Sequence, residues 1–333
     1  MKRDYIVGLD MGGTNIRTAA VSKNGEVLLI LRAPARANGT ATETVANISA
    51  QVLALQNAAR RAGLGRALAI GVAVPGPLNV RTGVVYAAPH VKAWRSFPLR
   101  RHLERVLGRA IIVENDANAW TLGEYWRGAA RGCKNVVLLT LGTGIGGGLI
   151  VDGKLVHGRS GMAAELGHVG VEADGMPCDC GSRGCLEAYA SASGLCGLLK
   201  QRLHLEDEEL PAQYLDRGGE FSARGLTRAA RGGDPLAIEM FEVAGRYLGI
   251  AIASFINTFN PEKVVIGGGV AGALPLMRRT MMREVKARAF AAAVAQTRIV
   301  KAALGAEGGV VGAAFAAMNG LDDGSLEGQL PGF

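Results

Sequence analysis

Between Ala164 and Ala190 the chain reads AELGHVGVEADGMPCDCGSRGCLEAYA, which gathers three of its five cysteines and one of its five histidines into a loop-like run. Thiols and an imidazole at this density suit a redox device, a metal clip or part of an active site. A disulfide framework is disfavoured: the cysteine count is odd, and Asp10 interrupts the opening apolar stretch before signal-peptide length, with no small-residue cleavage site after it. Cys178 and Cys180 flank a single residue, which strains a direct bridge between them. Cys133 and Cys196 stand alone and read as packing residues.

A second kind of chemistry is written in glycine. LDMGGTNIR, Leu9 to Arg17, sets an acid and two glycines directly after a β-type run. Glycine admits positive φ and close backbone approach, so successive N–H groups can surround phosphate oxygens. Asp10 is placed to orient a hydrated Mg²⁺, and Thr14 to donate a hydroxyl. LGTGIGGG follows the run NVVLLT in the same way, and a third junction, VVIGGGVAGAL, enters a helix and suits an adenine or ribose. Neither of the first two loops has the Gly-Lys-Ser/Thr of the P-loop, and the dinucleotide fingerprint does not fit a loop entering a hairpin. Each alone is equally a tight turn; two at matching places weigh toward phosphate.

The third feature is AIIVENDANAW, which runs a buried strand into Glu114-Asn115-Asp116. Strand ends are where α/β folds place chemistry, and a carboxylate there suits taking the proton from a hydroxyl that attacks a γ-phosphate. The competing role for Asp116 is helix N-cap.

The elements that must carry these residues repeat. Strand, glycine loop, strand, turn, strand occurs twice; with Asp10 aligned on Thr140, the turns Asn24-Gly25 and Asp152-Gly153 fall 14 and 12 residues downstream. Such a repeat predicts two similar lobes. Between them, TATETVANISAQVLALQNAARRAGL predicts an amphipathic helix with Thr40 or Thr42 as N-cap and Gly63 as stop. ALAIGVAVPGPL follows as a strand, SFPLRRHLERVLG as a helix and AIIVE as a strand. After the cysteine run, Asp234 and Pro235 open a long helix to Phe259; the strand KVVIGGGV and the helix LPLMRRTMMREVKARAF come next. A final helix, GGVVGAAFAAMNG, is expected to return to the first lobe. The division is therefore residues 1–117 with 307–320, then 118–306 carrying the cysteine loop 164–190, and a frayed tail 321–333.

The 333 residues exceed one small core, and 49% apolar with 20% charged residues describes a globular chain. The net charge of +8 comes from scattered Arg and Lys, and 5% aromatics offer no stacking platform, so no nucleic-acid partner is expected. The longest apolar run, Tyr247 to Phe259, is too short to span a bilayer, and a cytoplasmic protein with no membrane partner is expected.

DMGGTNIR, GVAVPGP, ENDANAW, TLGTGIGGGLI, ELGH and CDCGSRGCLE stand here in the order seen in the ROK family (repressor, open reading frame, kinase) of bacterial sugar kinases, and the resemblance covers about Tyr5 to Gly320. It implies an α/β, two-lobed, actin-like ATPase (ribonuclease H-like) fold, with an active-site cleft between lobes that close over ATP and a sugar. The implied reaction is ATP-dependent phosphorylation of a hexose. Glucose leads, and N-acetylhexosamines, mannose or fructose are alternatives. Members often form homodimers, which is the oligomeric expectation here.

Carried over by motif, the resemblance makes Asp116 the general base. It sets Asn115 and Gly76 on the sugar with Glu165, His168 and Glu187; the competing role for Glu165 and Glu187 is to support the cysteine loop. Asp10, Gly12, Gly13, Thr14, Thr143 and Gly144 would serve the phosphates and Mg²⁺, and Gly267, Gly268 and Gly269 the adenosine. His168, Cys178, Cys180 and Cys185 would bind a structural Zn²⁺, one nitrogen and three thiolates making a closed tetrahedral set. One departure concerns specificity: APHVKAW stands where many glucose-phosphorylating members have APNL and GW, so His90 and Ala93 replace Asn and Gly. Repressors of the family carry a DNA-binding helix-turn-helix ahead of the first glycine loop, whereas nine residues precede Asp10 here, which disfavours a sugar-sensing repressor.

Overall fold

The computed structural model describes residues 2–88, 91–205, 210–216 and 218–322. His90 lies outside them, as does the tail beyond residue 322. The chain divides into two compact units: residues 1–132, 155–164 and 303–333 form unit 1, and 133–154 with 165–302 form unit 2.

Unit 1 holds strands β1 (Tyr5–Met11), β2 (Asn15–Val21), β3 (Val27–Pro34), β4 (Ala67–Val74), β5 (Leu78–Asn79), β6 (Val84–Ala87), β7 (Arg95–Pro98) and β8 (Ile112–Asn115). Its main sheet has the order β3-β2-β1-β4-β8, antiparallel through the hairpins and parallel from β1 to β4 to β8; β5, β6 and β7 form a separate small sheet. Strand alternation decides what each face meets. Val7, Leu9 and Met11 join the cluster with Ile48, Val52 and Leu55 of helix α1 (Ala41–Arg61), while Ile6 joins the opposite cluster with Val310, Val311 and Ala314 of the C-terminal helix Gly308–Asp322. Asp10 shares the face of Ile6, so it is buried, at 5% exposure.

Close approach on that second face depends on glycine. A Cβ at Gly8 or Gly71 would overlap the carbonyls of Val310 or Ala313, and one at Gly312 would overlap Ala119 of helix α3 (Asp116–Arg127). Helix α3 therefore packs against the C-terminal helix inside unit 1, whereas the sequence division at residue 117 leaves it in the second lobe. The C-terminal helix itself ends at Asp322, two residues into the stretch expected as tail.

The stretch expected as one helix from Ser96 to Gly108 is instead strand β7 followed by helix α2 (Leu99–Leu107). Pro98 disfavours helical geometry at Phe97, and β7 finds a ladder partner in β6.

Unit 2 repeats the pattern with β9 (Val136–Leu141), β10 (Ile145–Val151), β11 (Lys154–Leu155), β12 (Lys263–Gly267) and β13 (Arg298–Lys301), in the order β11-β10-β9-β12-β13. Strands β9 and β10 are antiparallel, while β9, β12 and β13 run parallel, as β1, β4 and β8 do. Helices α4 (Glu187–Ala190), α5 (Ala192–Leu203), α6 (Ala223–Arg231), α7 (Pro235–Phe259), α8 (Leu274–Arg288) and α9 (Ala291–Gln296) complete it. Asp234 caps α7 by accepting from Ala237 N, with Pro235 at the first helical position. Among the described residues no helix is long and apolar enough to cross a membrane.

Candidate active site

In unit 1, β8 delivers Glu114, Asn115 and Asp116 to the start of α3. Asn115, not Asp116, is the N-cap: its Oδ1 accepts from Ala117 N at 2.9 Å and Asn118 N at 3.1 Å. Its Nδ2 donates to Gly76 O at 3.2 Å. Gly76 has φ +91, and a Cβ there would overlap Ala87 O, so a side chain is excluded on both counts. Asp116 is the first helical residue and half-buried, accepting from Ala117 N at 2.8 Å. The capping duty thus falls on its neighbour, and the Asp116 carboxylate sits at the N-terminus of α3.

Glu114, 4% exposed, accepts from Asn115 N at 2.9 Å and Asn118 Nδ2 at 3.1 Å through Oε1, while Oε2 lies 2.7 Å from His157 Nε2. The hydrogen bond that His157 donates to Glu114 raises the His157 pKa, burial of the ring opposes it, and the Glu114 charge adds to the rise. Sequence reasoning missed His157. Forty-three residues separate it from Glu114, and a lone histidine in KLVHG carries no local signal.

Asp10 lies in register with Ala73 of β4, which is in register with Glu114. Burial pushes its carboxyl up to about 6, against the lowering effect of Arg17, whose guanidinium nitrogen is 3.6 Å away. A Cβ on Gly309, at the start of the C-terminal helix, would touch the Asp10 carboxyl. Beyond it, the loop closes with Gly12 N donating to Asn15 O at 2.9 Å, and Gly13 and Thr14 are exposed. Among the described hydrogen bonds neither Gly13 N nor Thr14 N finds an acceptor, so both are available to an anion.

In unit 2 the second loop closes with Gly142 N donating to Gly144 O at 2.9 Å, and again Thr143 N and Gly144 N have no acceptor among the described bonds. Glu187 accepts from Ile145 N at 2.6 Å, and a Cβ on Gly144 would overlap the same carboxylate oxygen. Its other oxygen is 3.8 Å from Cys178 Sγ. Glu187 therefore joins the glycine loop to the cysteine loop, and its remaining lone pairs are what it has for a ligand. Glu165, exposed as a residue, has protein packed round its carboxyl that raises its pKa, with His168 opposing and Glu187 adding to the rise.

His168, Cys178, Cys180 and Cys185 converge, with their ligand atoms all within 4.8 Å of one another. Cys178 Sγ is 3.6 Å from His168 Nδ1, and Cys180 Sγ is 3.7 Å from Cys185 Sγ. Tetrahedral zinc with Zn–S of about 2.3 Å and Zn–N of about 2.0 Å spans ligand separations of roughly 3.5–3.8 Å, so the residues fit the metal. Burial pushes the Cys178 thiol up to about 12, and a cation is what would hold such a thiol ionised. With Nδ1 turned to the sulfurs, Nε2 of His168 is left for another partner.

The third glycine junction leaves β12 at Gly267. Gly268 has φ +87 and would overlap Leu141 with any side chain, whereas Gly269 opens onto free space. A pocket of about 360 Å³ beside it is lined by Arg224, Thr227, Arg228, Arg231, Gly269, Gly272 and Ala273. Within unit 1 lie Asp10, the first loop, Gly76, Asn115 and Asp116; within unit 2 lie the second loop, Glu165, Glu187, the cluster of His168 with Cys178, Cys180 and Cys185, and the third glycine junction.

The chain is 36% identical over 313 residues to a glucokinase of Halalkalibacterium halodurans, covering 94% of each chain. It is 34% identical over 314 residues to a glucokinase of Thermotoga maritima, covering 94% of this chain and 97% of that one. Among solved structures, a ROK family glucokinase from Streptomyces griseus in complex with glucose and AMPPNP matches with a TM-score of 0.79 and 34% identity, over 95% of this chain and 100% of that one. The two α/β units, with sheets of the same order, are those of the actin-like ATPase fold. The sequence profile of the ROK family matches residues 6–319, and the chain belongs to that family.

Proposed function

We propose that this chain is a hexose kinase that transfers the γ-phosphoryl group of ATP to the 6-hydroxyl of an aldohexose, glucose first. The observation that carries the reading is the Asn115-capped turn, which leaves the Asp116 carboxylate at the end of a strand and the head of a helix without using it as the cap. Asp116 accepts the hydroxyl proton as the sugar oxygen forms its bond to the γ-phosphorus and the bond to the ADP oxygen breaks. The open N–H groups at Gly13, Thr14, Thr143 and Gly144 stabilise the phosphoryl oxygens, and Gly12 lets the first loop turn. Asp10 would help hold a Mg²⁺ ion, which when bound would neutralise phosphate charge. Gly267, Gly268 and Gly269 bound the adenosine.

Asn115, Gly76, Glu165, His168 and Glu187 hold the sugar, the carboxylates accepting from its diols. His168, Cys178, Cys180 and Cys185 would hold a Zn²⁺ ion, which would fix the loop carrying these contacts. We place the enzyme in the cytoplasm, as a homodimer. An ADP-release assay over glucose, mannose, fructose, N-acetylglucosamine and N-acetylmannosamine tests the reading. Glucose is expected to give the highest kcat/KM, and no ADP release with any of these sugars overturns it.

A further inference from the structure

The stretch 155–164 belongs to unit 1, although the residues on both sides of it belong to unit 2, and it ends one residue before Glu165. Gly161 sits against Leu78, where a Cβ would overlap the carbonyl, and Ala163 N donates to His157 O at 3.2 Å. Among the described interactions, one side chain of the stretch makes a hydrogen bond: His157, to Glu114 at 2.7 Å. Glu114 is itself buried, and its other oxygen holds Asn115 N and the Asn118 side chain, both in the turn that sets Asp116.

We infer that His157 is a positioning residue for phosphoryl transfer, acting through Glu114 to hold the Asn115–Asp116 turn; the inference rests on the hexose-kinase reading. A buried carboxylate that loses its imidazole partner is left with an unpaired oxygen at a high desolvation cost, or turns to find water. Each response disturbs the Oε1 bonds to Asn115 and Asn118. The Asp116 carboxylate leaves the geometry needed for proton transfer, while residues that bind ATP in the glycine loops are untouched. The expected signature is a loss confined to kcat. General packing damage would lower stability and raise KM together.

The test compares wild type, His157→Leu and His157→Gln by steady-state kinetics with glucose and ATP, with thermal melts as a check on folding. His157→Leu is expected to lower kcat about 10- to 100-fold, the range for a lost hydrogen bond to a charged group, with KM for ATP within about twofold of wild type. His157→Gln, whose amide can still donate to Glu114, is expected to regain about tenfold of that loss. If the leucine variant does not fold, Glu114→Gln, which weakens the same contact from the other side, takes its place in the comparison with His157→Gln. An active wild type whose kcat changes less than about twofold in His157→Leu, or in Glu114→Gln where the leucine variant does not fold, overturns the inference alone. A wild type that phosphorylates no hexose overturns the kinase reading and the inference with it.

Discussion

Gly144→Ala tests how the second glycine loop is built. The added Cβ would overlap Glu187 Oε2, the oxygen that accepts from Ile145 N at 2.6 Å, so the carboxylate must retreat and that bond breaks. A hydrogen bond to a charged group contributes about 1.5–3 kcal/mol, which corresponds to a roughly 10- to 150-fold fall in kcat/KM for ATP if the loop is the phosphate cradle. Steady-state kinetics with varied ATP reads the loss. Glu187→Ala breaks the same bond from the other side and also makes room for the methyl group. The double variant Gly144→Ala with Glu187→Ala is therefore expected to cost no more than Glu187→Ala alone. Additive losses, or a single Gly144→Ala within twofold of wild type, would refute the argument that these two residues act through one contact.

Asp116→Asn is expected to lower kcat by about 10²- to 10⁴-fold while melts and glucose affinity stay close to wild type, since the amide keeps the shape and loses the base; near wild-type turnover would remove the general-base role. Chelating the Zn²⁺ proposed at His168, Cys178, Cys180 and Cys185 is expected to weaken glucose binding measured by calorimetry, because such an ion would anchor the loop that carries Glu165, His168 and Glu187; unchanged affinity in a metal-free sample would count against it. Asp10 is a buried acid with its folded pKa raised to about 6, so its contribution to stability is full below the unfolded value of about 3.9 and lost as pH rises through 6. Asp10→Asn removes that penalty and is expected to raise stability in urea by about 1–3 kcal/mol at pH 8 while abolishing turnover; equal midpoints at pH 8 would contradict the burial argument.

Much of the fold is legible from local pattern. Thr40 caps α1 with a reciprocal bond from Glu43, and Asp234 with Pro235 opens α7, because caps and first-turn prolines are decided by neighbours three or four residues away. The repeated hairpins appear as two sheets of the same order. Where local rules compete, reading along the chain fails. Ser96 to Pro98 has helix-like neighbours but is drawn into a ladder by β6, and Asn115 takes the cap that Asp116 was equally able to fill.

By itself the sequence determined the chemistry available to this protein: an acid at a strand end, two glycine loops in a repeat, and one histidine with three cysteines at metal-binding spacing. Those are short-range facts, carried by residue type and spacing. Only the tertiary structure decided which partners the chemistry has. Asp10 is buried because strand alternation turns it toward a helix about 300 residues later in the chain, a pairing no local pattern encodes. Glu187 is tied to Ile145, and Glu114 to His157, across 42 and 43 residues. Contacts at that separation depend on how sheets and loops close in space, which is why the role of Glu114 and the part played by His157 emerge from the folded chain.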